Sequence, residues 1–561
     1  MSVVVGIDVG NSTTEVVLVH IMGSAVTVLG AGSAPTRRVK GSAESLAGAA
    51  ALVRRVERVA GERAGVAVMA PLRPVQTSTV TVPEPSAVTG RLRLVAAGTG
   101  TVGGTGWGVG RPVLLGRETG GSDAVVAVVG PGTGYAEALP GLRELLAAGR
   151  LAAVLIAEDE AVLVANRLGA DVPVVDEVDV DVVLPASLVA VEVAAGGVLR
   201  RLADPLALVA DLGLDEAERP DAARLVARLR DASSAVVALD EVAAASVAAP
   251  VAWATTEVGT PSEGARMPLL DAARLLRTLP VGGITAYALG AGLPSVAVDD
   301  LFAVDLAVVA DAVVARRGAQ QSRALALAAL RTDARSTDPA EAMAGMLGIA
   351  VRTAASEASA ARAGALTTPG CGPDAVVVDI GGGTIDVVSG ERDVVVAGAG
   401  ELLTAGVAAL TGASLAAAEW VKRGPAVRVE TPALLLGEDG SRQFVDRPAG
   451  RETIGALAVR GPSGLLAFDR VHSPGEWRAL RLRLKAEVLG GNVDRALLSL
   501  GERPGTVVVV GGPAGDDEVL ASVARAMPPG VAVGRGDVAG TLGHRYAVAY
   551  GLAAGRLAGP S

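Results

Sequence analysis

The sequence contains few of the residues that bind metals through sulfur or imidazole. It has one cysteine, Cys371, and three histidines in 561 residues. A single cysteine excludes an intramolecular disulfide. Zinc and iron–sulfur sites need several such ligands close together, so neither is expected. We interpret Cys371 as a small buried or loop residue rather than a reactive thiol.

Aromatic residues and net positive charge are also scarce. Phe, Trp and Tyr make up 2% of the chain, and the formal net charge is −10. Platforms on which nucleic-acid bases stack are hard to build from so few rings, and an excess of acid disfavours binding to a phosphate backbone. We expect no nucleic-acid partner.

Long apolar runs are missing, although half of the residues are hydrophobic. Alanine and valine are spread along the chain, and charges or Gly/Pro breaks interrupt every stretch of about 18 residues. No membrane span and no secretory signal are expected, so the cytoplasm is the default location. The length suffices for roughly three or four domains.

The first segment that suggests chemistry is "VVVGIDVGNSTTEV", residues 3–16. β-branched residues flank a small polar turn, which predicts a β-hairpin. Small residues let backbone N–H groups approach an anion, and the hydroxyls add donors, so the turn is a candidate phosphate loop. An ordinary polar hairpin is the alternative. Asp8 would hold Mg²⁺ through water, and the candidate phosphate ligands are Gly10, Asn11, Ser12 and Thr13.

Two later segments repeat or complement this pattern. "AVVVDIGGGTIDVV", residues 375–388, is again strand, acid, glycine turn and strand. The spacing suggests a duplicated fold in which each half grips phosphate, with Asp379 as the second acid and Gly381, Gly382, Gly383, Thr384 and Asp386 around it. "TVVVVGGPAG", residues 506–515, ends a buried strand in a turn that suits adenosine, because glycine lets the backbone pass close to a flat base; its residues are Gly511, Gly512 and Pro513.

The region between these segments alternates strands and helices from residue 123, which is typical of a small α/β domain. Asp159 and Asp176 follow two of its strands, and ligands bind at the carboxyl ends of such strands. They are a candidate divalent-cation site; surface acids or helix caps are the alternative. A helix is predicted over 42–61, with Ser42 as N-cap. Residues 205–350 are predicted to be a connecting, mostly helical region.

The three segments together resemble the sugar kinase, heat-shock-70 and actin superfamily. The resemblance implies an α/β, actin-like (ribonuclease H-like) two-lobed ATPase with an inserted α/β swiveling domain and a helical linker region. Within it, the chain resembles the large subunits of diol/glycerol dehydratase-reactivating factors. The specific signals are "VLVANRL" with "VPVVDEV", "DDLFAVD" and "GALTTPG", none of which generic ATP binding requires.

This resemblance implies an ATP-dependent chaperone that releases damaged cobalamin from an adenosylcobalamin-dependent diol or glycerol dehydratase. It implies ATP/ADP and Mg²⁺ as cofactors, with Asp8 and Asp379 catalytic, and a small reactivase subunit as partner in an α2β2 heterotetramer. It also implies a cation in the swiveling domain, held by Thr101, Asp159 and Asp176. The expected segments are 1–84, 85–250 (swiveling), 251–350 (helical linker), 351–424, 425–490 (small insert) and 491–561.

One departure from the family is the second phosphate turn, Gly-Gly-Gly-Thr-Ile-Asp, which is closer to the generic chaperone form. Two other functions stay open at this point. A sugar or polyol kinase of the same superfamily would turn over ATP with a small substrate and no partner protein, and an actin-like filament former would assemble when ATP is added.

Overall fold

The computed structural model divides the chain into two units of different construction. The larger unit comprises residues 1–82, 250–313 and 323–561, and the smaller unit 83–249 and 314–322. The described residues are 2–81, 88–98, 103–117, 121–194, 197–229, 232–241, 253–256, 265–276, 279–289, 295–311, 313, 324–332, 338–354, 356–390, 392–461 and 464–555.

The larger unit begins with the predicted hairpin. Its first elements are β1 Ser2–Val9, β2 Thr13–Met22, β3 Ala25–Pro35, α1 Ala43–Ala60, β4 Val66–Met69 and β5 Gln76–Thr81. The prediction for α1 is confirmed at both ends. The Ser42 side chain accepts a hydrogen bond from the backbone N–H of Ser45, and Gly61 ends the helix at φ 72°, a conformation that glycine adopts without strain.

The smaller unit contains one eight-stranded mixed sheet. Strands β8 to β11 are parallel neighbours, and β8, β12, β13, β7 and β6 continue the sheet with antiparallel pairing. The alternation predicted from residue 123 produces the parallel half. The elements are β6 Val88–Thr89, β7 Leu92–Gly98, β8 Gly106–Leu114, β9 Val125–Val129, α2 Tyr135–Ala147, β10 Leu151–Ile156, α3 Ala161–Leu168, β11 Val174–Val175, α4 Val180–Val183, β12 Leu188–Val193, α5 Pro205–Leu212, α6 Arg219–Leu229 and β13 Ser234–Leu239.

The prediction that residues 205–350 are mostly helical, with a helical linker over 251–350, is wrong. This part of the chain supplies most of a six-stranded sheet in the order β15-β14-β16-β17-β18-β5. Strand β18 lies between two neighbours and is buried along its length, so its Ala/Leu sequence shows no alternation and resembles a helix. The elements are β14 Trp253–Thr256, β15 Ala265–Pro268, α7 Leu269–Leu275, β16 Ile284–Ala288, β17 Val296–Asp305, α8 Leu306–Asp311, β18 Ala324–Arg331, α9 Ala340–Leu347, β19 Ala350–Thr353 and α10 Glu357–Ala365.

The remaining elements of the larger unit form two further five-stranded sheets with their helices. A π-helical turn over Ala486–Gly490 links α13 to α14. The elements are β20 Val376–Ile380, β21 Thr384–Ser389, β22 Arg392–Ala397, α11 Gly400–Thr411, α12 Leu415–Val421, β23 Val427–Thr431, β24 Leu434–Gly437, β25 Arg442–Phe444, β26 Leu457–Gly461, β27 Gly464–Asp469, α13 Pro474–Lys485, α14 Gly491–Leu500, β28 Thr506–Val510, α15 Asp517–Ala526, β29 Ala532–Arg535 and α16 Ala547–Ala554.

Two sheets of the larger unit share one topology, which agrees with the predicted duplication. The orders are β3-β2-β1-β4-β19 and β22-β21-β20-β28-β29. In each sheet, three antiparallel strands continue into two parallel ones. The sheets therefore place their central hairpins in equivalent positions.

Helices α10 and α16 join these two sheets through one hydrophobic core. They cross closely: a Cβ atom added to Gly364 would lie 2.0 Å from the carbonyl oxygen of Ala547, and one added to Gly551 would lie 1.9 Å from that of Ala360. Small residues therefore hold the crossing together without bulky side chains between the helices.

In the described part of the chain, no single helix is both long and apolar enough to cross a membrane. Only α11 and α12 taken together meet the length and composition criteria, and that pair is bent by 104° at its break.

Candidate functional site

The turn between β1 and β2 is closed by its own backbone. The N–H of Gly10 donates to the carbonyl of Thr13 over 2.9 Å. Asp8 and Glu15 are directly paired across the hairpin, so two carboxylates stand at the base of the turn. Ser12 Oγ donates to Glu401 Oε1 over 2.9 Å, which fixes the tip of the turn against helix α11.

The turn between β20 and β21 has the same construction. The N–H of Gly381 donates to the carbonyl of Thr384, again over 2.9 Å, and Asp379 pairs with Asp386 across the strands. The backbone N–H groups of Gly400 and Glu401 donate to carbonyls of this turn at 3.2 and 2.8 Å. The start of α11 therefore holds the second turn from behind.

The third glycine turn follows β28. Gly511 has φ 89°, and a Cβ atom there would lie 2.2 Å from the carbonyl oxygen of Ile380 and 2.5 Å from Asp379 Oδ1. Its N–H donates to the carbonyl of His544 over 2.9 Å, and its own carbonyl lies 2.7 Å from His544 Nδ1. Only glycine fits here, because the turn is wedged against the second hairpin.

All three turns line one cavity of about 370 Å³ within the larger unit. Most of the residues predicted to bind nucleotide lie on its wall. Asn11 and Gly383 do not. Asn11 Nδ2 donates to the carbonyl of Val75 and to Glu401, and the carbonyl of Gly383 accepts from the N–H of Gly398. These two residues support the turns. The predicted residues on the wall are Asp8, Gly10, Ser12, Thr13, Asp379, Gly381, Gly382, Thr384, Asp386, Gly511, Gly512 and Pro513.

The cavity holds an excess of acid. Glu15 and Glu357 line it together with the three predicted aspartates. Burial, followed by the Glu357 and Glu15 carboxylates, raises the pKa of Asp379 to about 7. Burial and Glu357 also raise the pKa values of Asp8 and Asp386 well above their usual range. Acids with raised pKa values gathered in a cleft are a typical feature of functional sites.

Two cations that the sequence did not reveal lie against these acids. Lys40 Nζ is 3.0 Å from Glu357 Oε2. Burial opposes the lysine charge, but Glu357 and Asp8 raise the pKa of Lys40 overall. Arg545 Nη1 lies 3.2 Å from Glu15 Oε1. No motif marks either residue, because each comes from a segment that is distant in sequence from the acid it contacts.

Helix α12 contributes a further polar wall that sequence reasoning missed. Glu419, Lys422 and Arg423 line the cavity. Lys422 Nζ is 2.6 Å from Glu419 Oε2 and donates to Thr404 Oγ1 and to the carbonyl of Gly400. Burial lowers the pKa of Lys422. The apolar side chains of Leu403 and Val519 line the same cavity, so it offers both charged and apolar surfaces to a ligand.

The oxygen-rich wall fits a hard divalent cation held mainly through water. Carboxylates are the ligands that Mg²⁺ prefers, and it usually keeps several waters. Within the described residues, no group of three or more histidine, cysteine or carboxylate side chains is arranged to hold a metal ion. Direct ligation by a full set of protein side chains is therefore not built into the described part of the cavity.

The structure describes two of the three residues of the predicted cation site in the smaller unit, Asp159 and Asp176. Asp176 directly follows β11, and Asp159 follows the neighbouring parallel strand β10. Both residues therefore lie at the carboxyl ends of adjacent strands, on the same side of the sheet. Asp176 Oδ2 accepts a hydrogen bond from the N–H of Ala161 over 2.9 Å. Thr101 lies outside the described residues, and the three-ligand set stays a prediction.

Two sequence signals outside the turns have structural roles. In "DDLFAVD", the buried Asp300 forms an ion pair with the buried Arg495 at 2.6 Å and accepts the N–H of Ala397. In "GALTTPG", the side-chain oxygens of Thr367 and Thr368 accept the N–H groups of Ala539 and Asp537. The second pair of contacts anchors the loop that leads to His544 and Arg545.

Duplicated hairpins that meet a glycine turn over one acid-lined cavity define the actin-like class of ATPase folds. Two family models match the chain: "Diol dehydratase reactivase ATPase-like domain" over residues 285–555 and "DD-reactivating factor swiveling domain" over 93–240. Together they match most of the sequence. The chain belongs to the diol dehydratase-reactivating factor large-subunit family.

Curated relatives and solved structures agree over nearly full lengths. The chain is 28% identical over 610 residues to the propanediol dehydratase-reactivating factor large subunit of Citrobacter freundii, covering 98% of each chain. It is 28% identical over 612 residues to the diol dehydratase-reactivating factor large subunit of Klebsiella michiganensis, again covering 98% of each. A diol dehydratase-reactivating factor in nucleotide-free form superposes with a TM-score of 0.70 at 25% identity, covering 98% of this chain and 99% of the other. A glycerol dehydratase reactivase gives the same TM-score and coverage at 24% identity.

Proposed function

We propose that this chain is the ATP-hydrolysing large subunit of a reactivating factor for an adenosylcobalamin-dependent diol or glycerol dehydratase. Such an enzyme retains damaged cobalamin in a tight site, and the factor releases it so that intact coenzyme can enter. The observation that carries the proposal is the convergence of three turns on one cavity, in a chain similar to reactivating-factor large subunits over nearly its whole length.

In the proposed cycle, the bound nucleotide determines whether this chain binds the small subunit or the dehydratase. The ATP and ADP states bind the small subunit and the dehydratase with different affinities, so exchange of nucleotide shifts the complex from one partner to the other. Replacement of the small subunit by the dehydratase opens the cobalamin site. The assembly we propose is an α2β2 heterotetramer in the cytoplasm.

Hydrolysis follows from the acids of the cavity. The oxygen of a water molecule attacks the γ-phosphorus, the bond to the β–γ bridging oxygen breaks, and ADP and inorganic phosphate leave. Asp379, which lies on the wall of the cavity between the hairpin turns, accepts the proton of the water as general base. Backbone N–H groups of the two hairpin turns and the Ser12 and Thr13 hydroxyls hold the phosphates.

A divalent cation completes this site. Asp8, Asp379 and Asp386 would hold Mg²⁺ through its water ligands. When bound, the ion offsets the charge of the phosphates and of the clustered carboxylates. Lys40 adds a fixed positive charge beside Glu357. Slow turnover suffices, because the nucleotide acts as a switch.

The test of this function is ATP-dependent recovery of a diol dehydratase that glycerol has inactivated. The assay contains this chain, the small subunit, Mg²⁺ and free adenosylcobalamin. We expect recovery with the native chain, loss of it with Asp8→Asn, and retention with Asp393→Asn, a matched change of an exposed aspartate on β22. Binding of ATP without any recovery would contradict the proposal and favour a polyol kinase.

We also propose that Asp159, Asp176 and Thr101 hold a divalent cation that an acid of the small subunit completes. Both aspartates stand at one sheet edge, which supports this assignment. Asp159→Ala should weaken assembly with the small subunit while leaving ATP binding unchanged, and the exposed neighbour Asp171→Ala is the control. Equal loss of assembly and of ATP binding would contradict the assignment.

A further inference from the structure

Arg545 lies between two of the turns that line the cavity. Its Nη1 atom is 3.2 Å from Glu15 Oε1 in the first hairpin. A Cβ atom added to Gly512, in the third turn, would lie 3.3 Å from the same Nη1 and 3.7 Å from Cζ. The guanidinium therefore rests on a glycine of the third turn and reaches toward the base of the first hairpin.

The contact with Glu15 uses few of the hydrogen-bond donors of the Arg545 guanidinium. An arginine carries five N–H donors, and among the described residues Arg545 makes one hydrogen bond, to Glu15. The Arg545 side chain is 34% exposed, whereas that of Glu15 is 5% exposed. Arg481 differs, because it is 1% exposed and bonds Glu438 and Glu518 with both of its terminal nitrogens and Nε.

We propose that Arg545 binds the phosphate chain of the nucleotide and exchanges Glu15 for it. The inference rests on the proposed ATPase function and names a nucleotide-binding residue within the same cavity. Arginine binds phosphate oxygens through paired, charge-assisted hydrogen bonds. A bound phosphate chain is a better partner than Glu15, which Arg545 meets through one long contact.

The position of Arg545 in the chain links this exchange to the fold. His544 bonds Gly511 of the third turn through two contacts, and α16 begins two residues after Arg545. Helix α16 packs on β1 and α10 with few side-chain atoms between: a Cβ added to Gly6 would lie 1.9 Å from the Ala549 carbonyl oxygen. Arg545 therefore lies between the third turn and the helix that joins the two duplicated sheets.

The test measures binding of adenosine, ADP and ATP to the full chain by calorimetry in the presence of Mg²⁺. For Arg545→Gln we expect ADP or ATP affinity to fall at least about tenfold, from the usual strength of a hydrogen bond to a charged group, with adenosine affinity unchanged. Arg545→Lys should restore part of the loss. Arg442→Gln, which removes an exposed arginine from its pair with Glu430, is the matched control.

The outcomes separate this inference from the ATPase proposal. If the native chain binds no nucleotide, both fail. Suppose instead that the native chain binds ATP and that Arg545→Gln binds ADP and ATP as tightly as the native chain does. In that case, or if Arg545→Gln loses as much affinity for adenosine as for ADP and ATP, only the role of Arg545 is overturned.

A double-mutant cycle tests the exchange itself. Glu15→Gln frees Arg545 and should tighten ATP binding. In the Arg545→Gln background the same change should give a smaller gain, because part of the effect passes through the guanidinium. An equal gain in both backgrounds would mean that Glu15 repels phosphate on its own and would overturn the exchange.

Discussion

Two clusters of buried charge in the larger unit have opposite properties. In the nucleotide cavity, acids outnumber their cations, and burial with Glu357 and Glu15 raises the pKa of Asp379 to about 7. Around α13, Arg481 and Lys485 are surrounded by Glu438, Asp516 and Glu518. Burial opposes the charge of Glu518 there, yet hydrogen bonds from Arg481 and Lys485 lower its pKa to about 2.

The difference shows that the arrangement of donors, rather than residue type, decides what a buried carboxylate does. Around α13 each acid faces a cation at hydrogen-bond distance, so the charges are satisfied and the cluster is structural. In the cavity the acids face one another, which costs stability in the empty state. Such strain is typical of sites built to receive a charged ligand.

Breaking the satisfied cluster should have the largest effect on stability. Arg481→Met leaves the buried Glu438, whose side chain is 6% exposed, without the Arg481 cation, and removal of one partner from a buried ion pair costs about 3–5 kcal/mol. We expect a loss of this size in the free energy of unfolding, measured by urea denaturation. Arg478→Met, at an exposed position on the same helix, should change it little. A small loss for Arg481→Met would show that the cluster is not satisfied as described.

Removing one acid from the nucleotide cavity should increase stability, in contrast to Arg481→Met, and should abolish activity. Asp379→Asn removes one of the mutually repelling acids, and one pKa unit corresponds to about 1.4 kcal/mol. We expect the nucleotide-free chain to gain about 1–3 kcal/mol at pH 8, while ATP hydrolysis falls about 10²–10⁴-fold, the usual contribution of a general base. Loss of both stability and activity would mean that Asp379 supports the fold.

Most of the difference between the two clusters could not be predicted from the sequence. The three turns and helix α1 were predictable, because strand patterns, glycine turns and caps are local signals. The partners of the acids were not. Lys40, Glu357 and Arg545 come from three separate segments, and only the folded sheets bring them to Asp8 and Asp379.

The error over residues 251–350 has a different cause. In a strand that is buried on both faces, apolar residues do not alternate with polar ones, and Ala324–Arg331 is rich in the residues that favour helices. Asp300 lies within the motif "DDLFAVD", but its partner Arg495 lies far along the chain. Sequence reasoning therefore found the motif without showing that its acid is structural.

The pH dependence of stability should separate the two clusters. The native pKa of Asp379, about 7, lies above its ordinary value, so the folded state holds the proton longer and stability falls as pH rises from about 4 to 7. The native pKa of Glu518, about 2, lies below its ordinary value. Its contribution is present above pH 4.5 and is lost as pH falls toward 2.

Unfolding midpoints of the nucleotide-free chain, measured from pH 2 to 8, give the change of stability with pH in both ranges. We expect Asp379→Asn to reduce the fall in stability between pH 4 and 7, and Glu518→Gln to reduce the rise in stability between pH 2 and 4.5. If either substitution flattened both slopes, the two clusters would be coupled and the comparison would not hold.

The smallest effect should come from a pair that matches the α13 cluster in geometry but not in burial. Arg442 binds Glu430 through Nε and Nη2 at 2.7 and 2.9 Å, the same two atoms through which Arg481 binds Glu518 at 2.9 and 2.8 Å, yet the Arg442 side chain is 60% exposed. Water replaces the lost partner at an exposed site, so Arg442→Gln should leave the unfolding midpoint within experimental error. The same denaturation experiment then compares one geometry in two environments. If Arg442→Gln destabilised the chain as much as Arg481→Met, hydrogen-bond geometry would decide the cost, and burial could not explain why the cavity and the α13 cluster differ.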